Sequence, residues 1–449
     1  MNGKQKTMGM YLSHKKTYNL RELARVVRRH LSPETVDTRG AKSEEGRGSF
    51  RKAASPDVEA SSCEVNGQGP ILRRGVRPVA AGTGSGPEGS RLTADVWRPW
   101  GSGVEKGVLW NGGMCCRPMT CSQLFLIPMV KVTIIGATGQ VGSYAAHAIS
   151  QIPHVKEVTL FGRDGNQLFL EGLARDLRDS FAARGINTRI SWSCDEKDLR
   201  GSEIIILTSG APRKSDQKRL DLAVDNARIV AGYAEKISRN ASETLLFVVS
   251  NPVDVMTAVA LRYSNLPPHR VFGLGTHLDS MRLKSCIAEF FNVHVSEVHT
   301  RIIGEHGDSM VPLWSATTIG GIQINNLPAF SHIPKDEMVE QVKTSGSVII
   351  RNKGSTVYGP GDAIATIIRT IVEDEHRILT VSAFIRKEVH DIGSVCIGVP
   401  ARITRGGAFP VPIKLSDDEL EAFRRSTEQI RMITHHVFES LKENVNNSE

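Results

Sequence analysis

From Met129 onward the chain alternates short apolar runs with longer amphipathic ones. Val130 to Ile135 is a β-branched run of strand length; glycines follow it, and then Ser143 to Ile152 with helical spacing. Further buried-strand runs fall at Glu157 to Phe161, Glu203 to Thr208, Leu245 to Val249 and Val271 to Leu274, separated by helix-length segments. Strands that are apolar on both faces and alternate with helices predict a parallel sheet covered on both sides. The expectation is a Rossmann-type doubly wound α/β fold over residues 129–275. Beyond about residue 300 the pattern mixes short strands, at Arg301 to Ile303 and Ile378 to Phe384, with helices near Lys335 to Arg351 and Leu415 to Leu441. This predicts a second, α+β domain over 276–449 that carries part of an active site.

Residues 1–128 have a different texture. They hold 17 Gly and 8 Pro and, after residue 31, no sustained apolar periodicity, the signature of a disordered N-terminal extension. One short exception interleaves Leu23, Val26, Val27 and Leu31 with Arg21, Arg25, Arg28 and Arg29, a basic amphipathic turn that a targeting peptide or a tail could contain. The segment carries 20 Lys and Arg against 11 Asp and Glu, leaving 36 against 37 for the remainder. The basic character of the chain therefore belongs to its front end and gives no reason to expect a nucleic-acid partner. No apolar run approaches the roughly 20 residues that span a bilayer, so a soluble, cytoplasmic protein with no membrane partner is expected. Cys194, Cys286 and Cys396 are widely separated and read as buried free thiols. Cys115, Cys116 and Cys121 lack a second ligand cluster, so no metal site is expected.

Strand, glycine turn and helix together open a nucleotide-binding unit. A turn facing a pyrophosphate must bring backbone close to phosphate oxygens and present the N–H groups of a helix start. Gly136, Ala137, Thr138, Gly139, Gln140, Val141 and Gly142, spaced GxxGxxG, meet that need. At the end of the second strand an acidic residue normally holds the ribose hydroxyls of NAD. Here Gly162 and Arg163 stand instead. A missing carboxylate removes repulsion against a 2′-phosphate, and an adjacent guanidinium can pair with one, so NADP is favoured over NAD. Asp164, one step further, leaves NAD open.

Two further motifs carry chemistry. Asp279-Ser-Met-Arg282 begins a helix after the turn Gly275-Thr-His-Leu, and Gly304-Glu-His306-Gly-Asp-Ser follows a strand. Taken with Pro212-Arg213-Lys, Arg219 and Ser250-Asn251-Pro252, they resemble the malate and lactate dehydrogenase family, most closely the malate or L-2-hydroxycarboxylate dehydrogenases of methanogenic archaea. The resemblance runs from Met129 to about residue 445, with five motifs in the family's order. It implies that His306 is the proton donor and acceptor, and Asp279 its partner carboxylate. Both roles suit the chemistry, because reducing a ketone leaves an alkoxide that needs a proton, and imidazole is the side chain matched to neutral pH. By the same resemblance Arg282 grips the substrate C1 carboxylate, Arg219 polarises the carbonyl, and Asn251 touches both substrate and nicotinamide. Asn226 and the backbone of Val249, Ser250 and Asn251 line the cofactor. Gly210 to Arg219 becomes a loop closing over substrate, and Arg213 on it implies a dicarboxylic substrate, malate or oxaloacetate.

Two features widen the expectation. GEHGDS is closer to the lactate branch, and Gly359-Pro360-Gly361 reads as roomy, so broader 2-hydroxy acid activity stays open. An NAD-dependent glycosidase would need a metal-holding cysteine beside the Asn-Pro motif, where this chain has Ser250. A non-catalytic binding protein should have lost at least one chemical residue, yet Arg213, Arg219, Asp279, Arg282 and His306 are all present. The resemblance further implies a homodimer or homotetramer.

Overall fold

The computed structural model describes residues 129–211 and 219–446. The N-terminal extension, its basic turn, Arg213 and the first four cysteines lie outside them, as does the side chain of Arg219.

Six strands alternate with helices in the first half. In chain order they are β1 (Val130–Ile135), α1 (Gln140–Ile149), β2 (Val155–Phe161), α2 (Gln167–Arg184), β3 (Arg189–Ser193), β4 (Ile204–Leu207), α3 (Arg219–Asn240), β5 (Leu245–Val248), α4 (Val253–Ser264) and β6 (Val271–Gly273). All six strands run parallel, in the order β3-β2-β1-β4-β5-β6. That is the doubly wound arrangement, and it reverses direction at β1, where a crevice opens at the carboxyl ends of the strands. Every residue of β4 and β5 is buried, as expected of strands with helices on both faces.

The long strands of the second half join the sheet of the first, and only its short strands form small sheets of their own. After α5 (His277–Phe291) come five two-residue strands: β7 (Val298–His299), β8 (Ile302–Ile303), β9 (Val311–Pro312), β10 (Thr318–Ile319) and β11 (Ile322–Gln323). Helices α6 (Lys335–Lys353) and α7 (Tyr358–Val372) lead to β12 (Ile378–Ile385), β13 (Val395–Thr404) and β14 (Gly407–Pro410), and α8 (Asp417–Asn446) ends the described chain. β12 pairs antiparallel with β6, placing Ser382 opposite Gly273 and Ala383 opposite Phe272, and β13 and β14 follow it. The parallel sheet thus grows into a nine-stranded mixed sheet. One apolar core accordingly runs from Val132 and Ile134 to Ile397 and Val399. No helix among the described residues is long and apolar enough to cross a membrane.

Two sequence expectations are corrected here. Gly361 does not make room. It is buried in α7, and a Cβ built on it would lie 2.1 Å from the Tyr144 ring, so the missing side chain lets α7 close on α1. Tyr144 completes the contact by donating to Asp362 at 3.2 Å and meeting Tyr358 edge-on at 5.2 Å. Of the three later cysteines only Cys396 is buried; Cys194 and Cys286 are partly exposed. Neither sits in a strand, so the alternation that buries apolar positions does not reach them.

Gly361→Ala should force α1 and α7 apart and cost about 1–3 kcal/mol, as overpacking in a filled interior does. The melting midpoint should fall by several degrees, and an unchanged midpoint would show that Tyr144 can yield without cost.

Candidate active site

The crevice beside β1 is built from the glycine turn. Gly136 has a φ of +90°, and a Cβ there would lie 2.7 Å from the Ser209 nitrogen. At Gly142 a Cβ would lie 2.6 Å from the Gly136 carbonyl oxygen. Both glycines are therefore required by packing within the protein, which draws the turn tight against the end of β4. The turn holds Ala137, Thr138 and Gly139, and Gly139 donates back to the Gly136 carbonyl at 3.0 Å. Helix α1 then begins at Gln140 with no side-chain cap and no acidic residue in its first turn. Its leading N–H groups are left for an anion, so the residues present fit the pyrophosphate of a dinucleotide.

Asn226 on α3 ties two loops together. Its Oδ1 accepts the Ala211 N–H at 2.7 Å, and its Nδ2 donates to the Asn251 carbonyl at 2.7 Å. Ser250 is pinned as well, its hydroxyl donating to the Ser209 carbonyl. The strand ends after β4 and β5 thus form one floor. Over it lies a cleft of about 460 Å³, lined on one side by Val141, Asn226, Val249, Ser250 and Asn251, and on the other by Arg282, His306, Ile350, Thr356 and Pro360. Gly162 and Arg163 lie outside this lining, at the end of β2 and just beyond it. Arg163 lies near Tyr233 of α3. Gly162 has a packing reason of its own, since a Cβ there would come within 2.8 Å of Leu170.

The chemical groups come from the second half. Asp279 falls in the first turn of α5 and Arg282 one turn later, so both project from the same face. Asp279 is 1% exposed and binds two partners: His306 Nδ1 at 2.6 Å through Oδ2, and Arg282 Nη1 at 3.3 Å through Oδ1. His306 reaches this position because its loop is fastened on three sides. Gly304 exchanges backbone hydrogen bonds with Gly398 of β13. The Glu305 N–H donates to the Ser426 hydroxyl of α8 at 2.8 Å, and the His306 N–H donates to Asp254 Oδ2 of α4 at 2.8 Å. Sequence reasoning passes over Asp254, although it stands three residues beyond Asn251 in the same motif.

Burial alone would lower the pKa of His306. The Asp279 carboxylate outweighs that, with help from Asp254 and against Arg282, and holds the imidazole above its ordinary value. Burial pushes Asp254 up to about 6, held back by the His306 N–H. Because native His306 binds its proton more tightly than the unfolded chain does, its contribution to stability is complete below the ordinary histidine range. That contribution is lost as pH rises through the raised value.

A dinucleotide crevice beside a histidine–carboxylate pair and an arginine is the arrangement of a nicotinamide-dependent dehydrogenase. Comparison with known proteins carries this further. Residues 130–273 match the family model described as lactate/malate dehydrogenase, NAD binding domain, and residues 276–441 match its alpha/beta C-terminal domain. The chain belongs to the lactate/malate dehydrogenase family. It is 49% identical over 311 residues to an L-2-hydroxycarboxylate dehydrogenase (NAD(P)(+)) of Methanocaldococcus jannaschii, covering 69% of this chain and 99% of the relative. To a malate dehydrogenase of Methanothermobacter thermautotrophicus it is 46% identical over 321 residues, covering 70% and 99%. Among solved structures, malate dehydrogenase from Picrophilus torridus in its apo form superposes with a TM-score of 0.65 at 30% identity, covering 70% of this chain and 99% of that one.

Asp279→Asn should lower the pKa of His306 by about one to two units, since it removes the charge that favours imidazolium. An NMR titration of the His306 ring reads this directly. Equal titration in both proteins would mean that the short contact does not set the protonation of the ring.

Proposed function

We propose that this protein is a malate dehydrogenase that interconverts malate and oxaloacetate with NADP in preference to NAD. The observation that carries the reading is Asp279, which holds His306 and Arg282 at a cleft that Val141, just past the glycine turn, and Asn251 also line. The bound nicotinamide supplies or takes up hydride. In reduction His306 gives its proton to the forming alkoxide, and Asp279 fixes the ring so that Nε2 faces the substrate. Arg282 anchors the C1 carboxylate by a two-pronged contact and Arg219 polarises the carbonyl. Arg213 pairs with the distal carboxylate of the substrate. Asn251 orients both substrate and nicotinamide.

The relatives named malate dehydrogenase support the substrate, and the Arg163 position supports the cofactor. Coverage of 99% of the relatives' length by 69–70% of this chain supports a catalytic unit over 129–449, divided near residue 275. We assign that unit to the cytoplasm as a homodimer or homotetramer. A broader L-2-hydroxycarboxylate activity is the second reading, favoured by the name of the Methanocaldococcus relative and by the His306 motif.

Initial rates with oxaloacetate and pyruvate, each with NADPH and NADH, test the assignment. Oxaloacetate should be reduced faster than pyruvate, because an unpaired Arg213 penalises a substrate that lacks the second carboxylate. Arg213→Gln should shrink that ratio by an order of magnitude or more. A wild type that prefers pyruvate, or a ratio untouched by the substitution, would overturn the malate reading.

For the cofactor, Arg163→Val is a cleaner probe than a change that also adds a side chain at Gly162, where Leu170 is in the way. Loss of a charge-assisted bond worth about 1.5–3 kcal/mol should cost NADPH roughly ten- to a hundredfold in kcat/KM and leave NADH little changed. Equal use of both cofactors before and after would remove Arg163 from specificity.

A further inference from the structure

We infer that Asp254 is a positioning residue for catalysis: its buried carboxylate holds the His306 backbone in place and supplies a second negative charge that keeps the imidazole protonated for reduction. The inference rests on the acid–base role proposed for His306. Its foundation is geometric. Asp254 is 1% exposed, its Oδ2 accepts the His306 N–H at 2.8 Å, and its Oδ1 is buried with no hydrogen bond. A buried carboxylate left half unsatisfied is costly, and an asparagine would serve as well if only the backbone bond mattered.

The placement offsets part of that cost. Asp254 is the second residue of α4, where the helix N-terminus favours an anion. It also follows Asn251 by three residues, so one carboxylate links the cofactor side of the cleft to the His306 loop. The groups that face it are few. His306 and Glu305 come from the loop after β8, the Ser382 hydroxyl from β12, and the Cys396 thiol, kept protonated by burial, from β13. Asp279 and Arg282 on α5 act on the same imidazole. His306 therefore lies between two carboxylates, one bound to its ring and one to its backbone. Asp254, displaced upward by burial, changes charge close to the pH at which an ordinary histidine does. Protonating Asp254 withdraws support from the imidazolium, so the two groups titrate as a pair.

The test is the pH profile of kcat/KM for oxaloacetate reduction by the full chain, compared for wild type, Asp254→Asn and His306→Asn, with malate oxidation measured alongside. Asp254→Asn keeps an acceptor for the His306 N–H and removes only the charge. The fall in reduction at rising pH should move toward acid by about one unit. Above the limb, a shift of one unit lowers reduction about tenfold, and the rising limb of malate oxidation should move by the same amount, because one ionisation governs both directions. A purely structural residue would lower rate at every pH and leave both limbs where they are. An unmoved limb in Asp254→Asn overturns the inference while leaving the role of His306 intact; full turnover by His306→Asn overturns the underlying reading instead. Should Asp254→Asn fail to fold, Asp254→Glu takes its place. It keeps the charge while disturbing the bond to the His306 N–H, so rate should fall with the limb left near its wild-type position, and a limb that moves toward acid there counts against the inference.

Discussion

Asp279 is 1% exposed and its charge is met twice, by His306 and by Arg282. Removing one partner of such a buried pair typically costs about 3–5 kcal/mol, because the other charge is left without solvent. The structure around Asp279 can be understood as the means of bringing those partners to it. Arg282 arrives by helical spacing alone, one turn along α5. His306 arrives from 27 residues away, and its loop is held by β13, α8 and α4 through Gly398, Ser426 and Asp254. A site anchored to three elements has little freedom to drift, which is what proton transfer over hydrogen-bond distances demands.

The cofactor side obeys a different constraint, set by space more than by charge. Gly136 and Gly142 let the turn fold back on itself and against the end of β4, and an uncapped helix start is left facing the crevice. Asn226 then joins the loops after β4 and β5, so that a single amide fixes the floor of the cleft. One side of the cleft is thus shaped by close packing and the other by a buried ion pair.

The parts legible in the sequence are those that local pattern determines. The run from Val130 to Ile135 became β1 without change, and the other parallel strands and the glycine turn stand close to where periodicity and spacing place them, whereas the histidine and aspartate motifs were legible only through the family resemblance. What stayed hidden depends on partners far along the chain. β3, with alternating polar residues at the sheet edge, lacks the apolar run that marks β4 and β5. Nothing in Ile378 to Phe384 announces that it pairs with β6, more than a hundred residues earlier. Gly361 looks like empty space until Tyr144 is brought against it. Asp254 is an ordinary first-turn acid until folding buries it beside His306.

The pairing of β12 with β6 has a bearing on inheritance. The two halves match separate family models, and a break between them near residue 275 looks like a natural place for recombination. Yet the sheet crosses that boundary, with Ser382 facing Gly273 and Ala383 facing Phe272. A Cβ at Gly275 would lie 2.3 Å from the Ser382 nitrogen, so the seam tolerates almost no change of shape. A chimera spliced there from two relatives inherits each side of the seam from a different parent. The halves have to be exchanged as a matched set, and drift in one is answerable to the other.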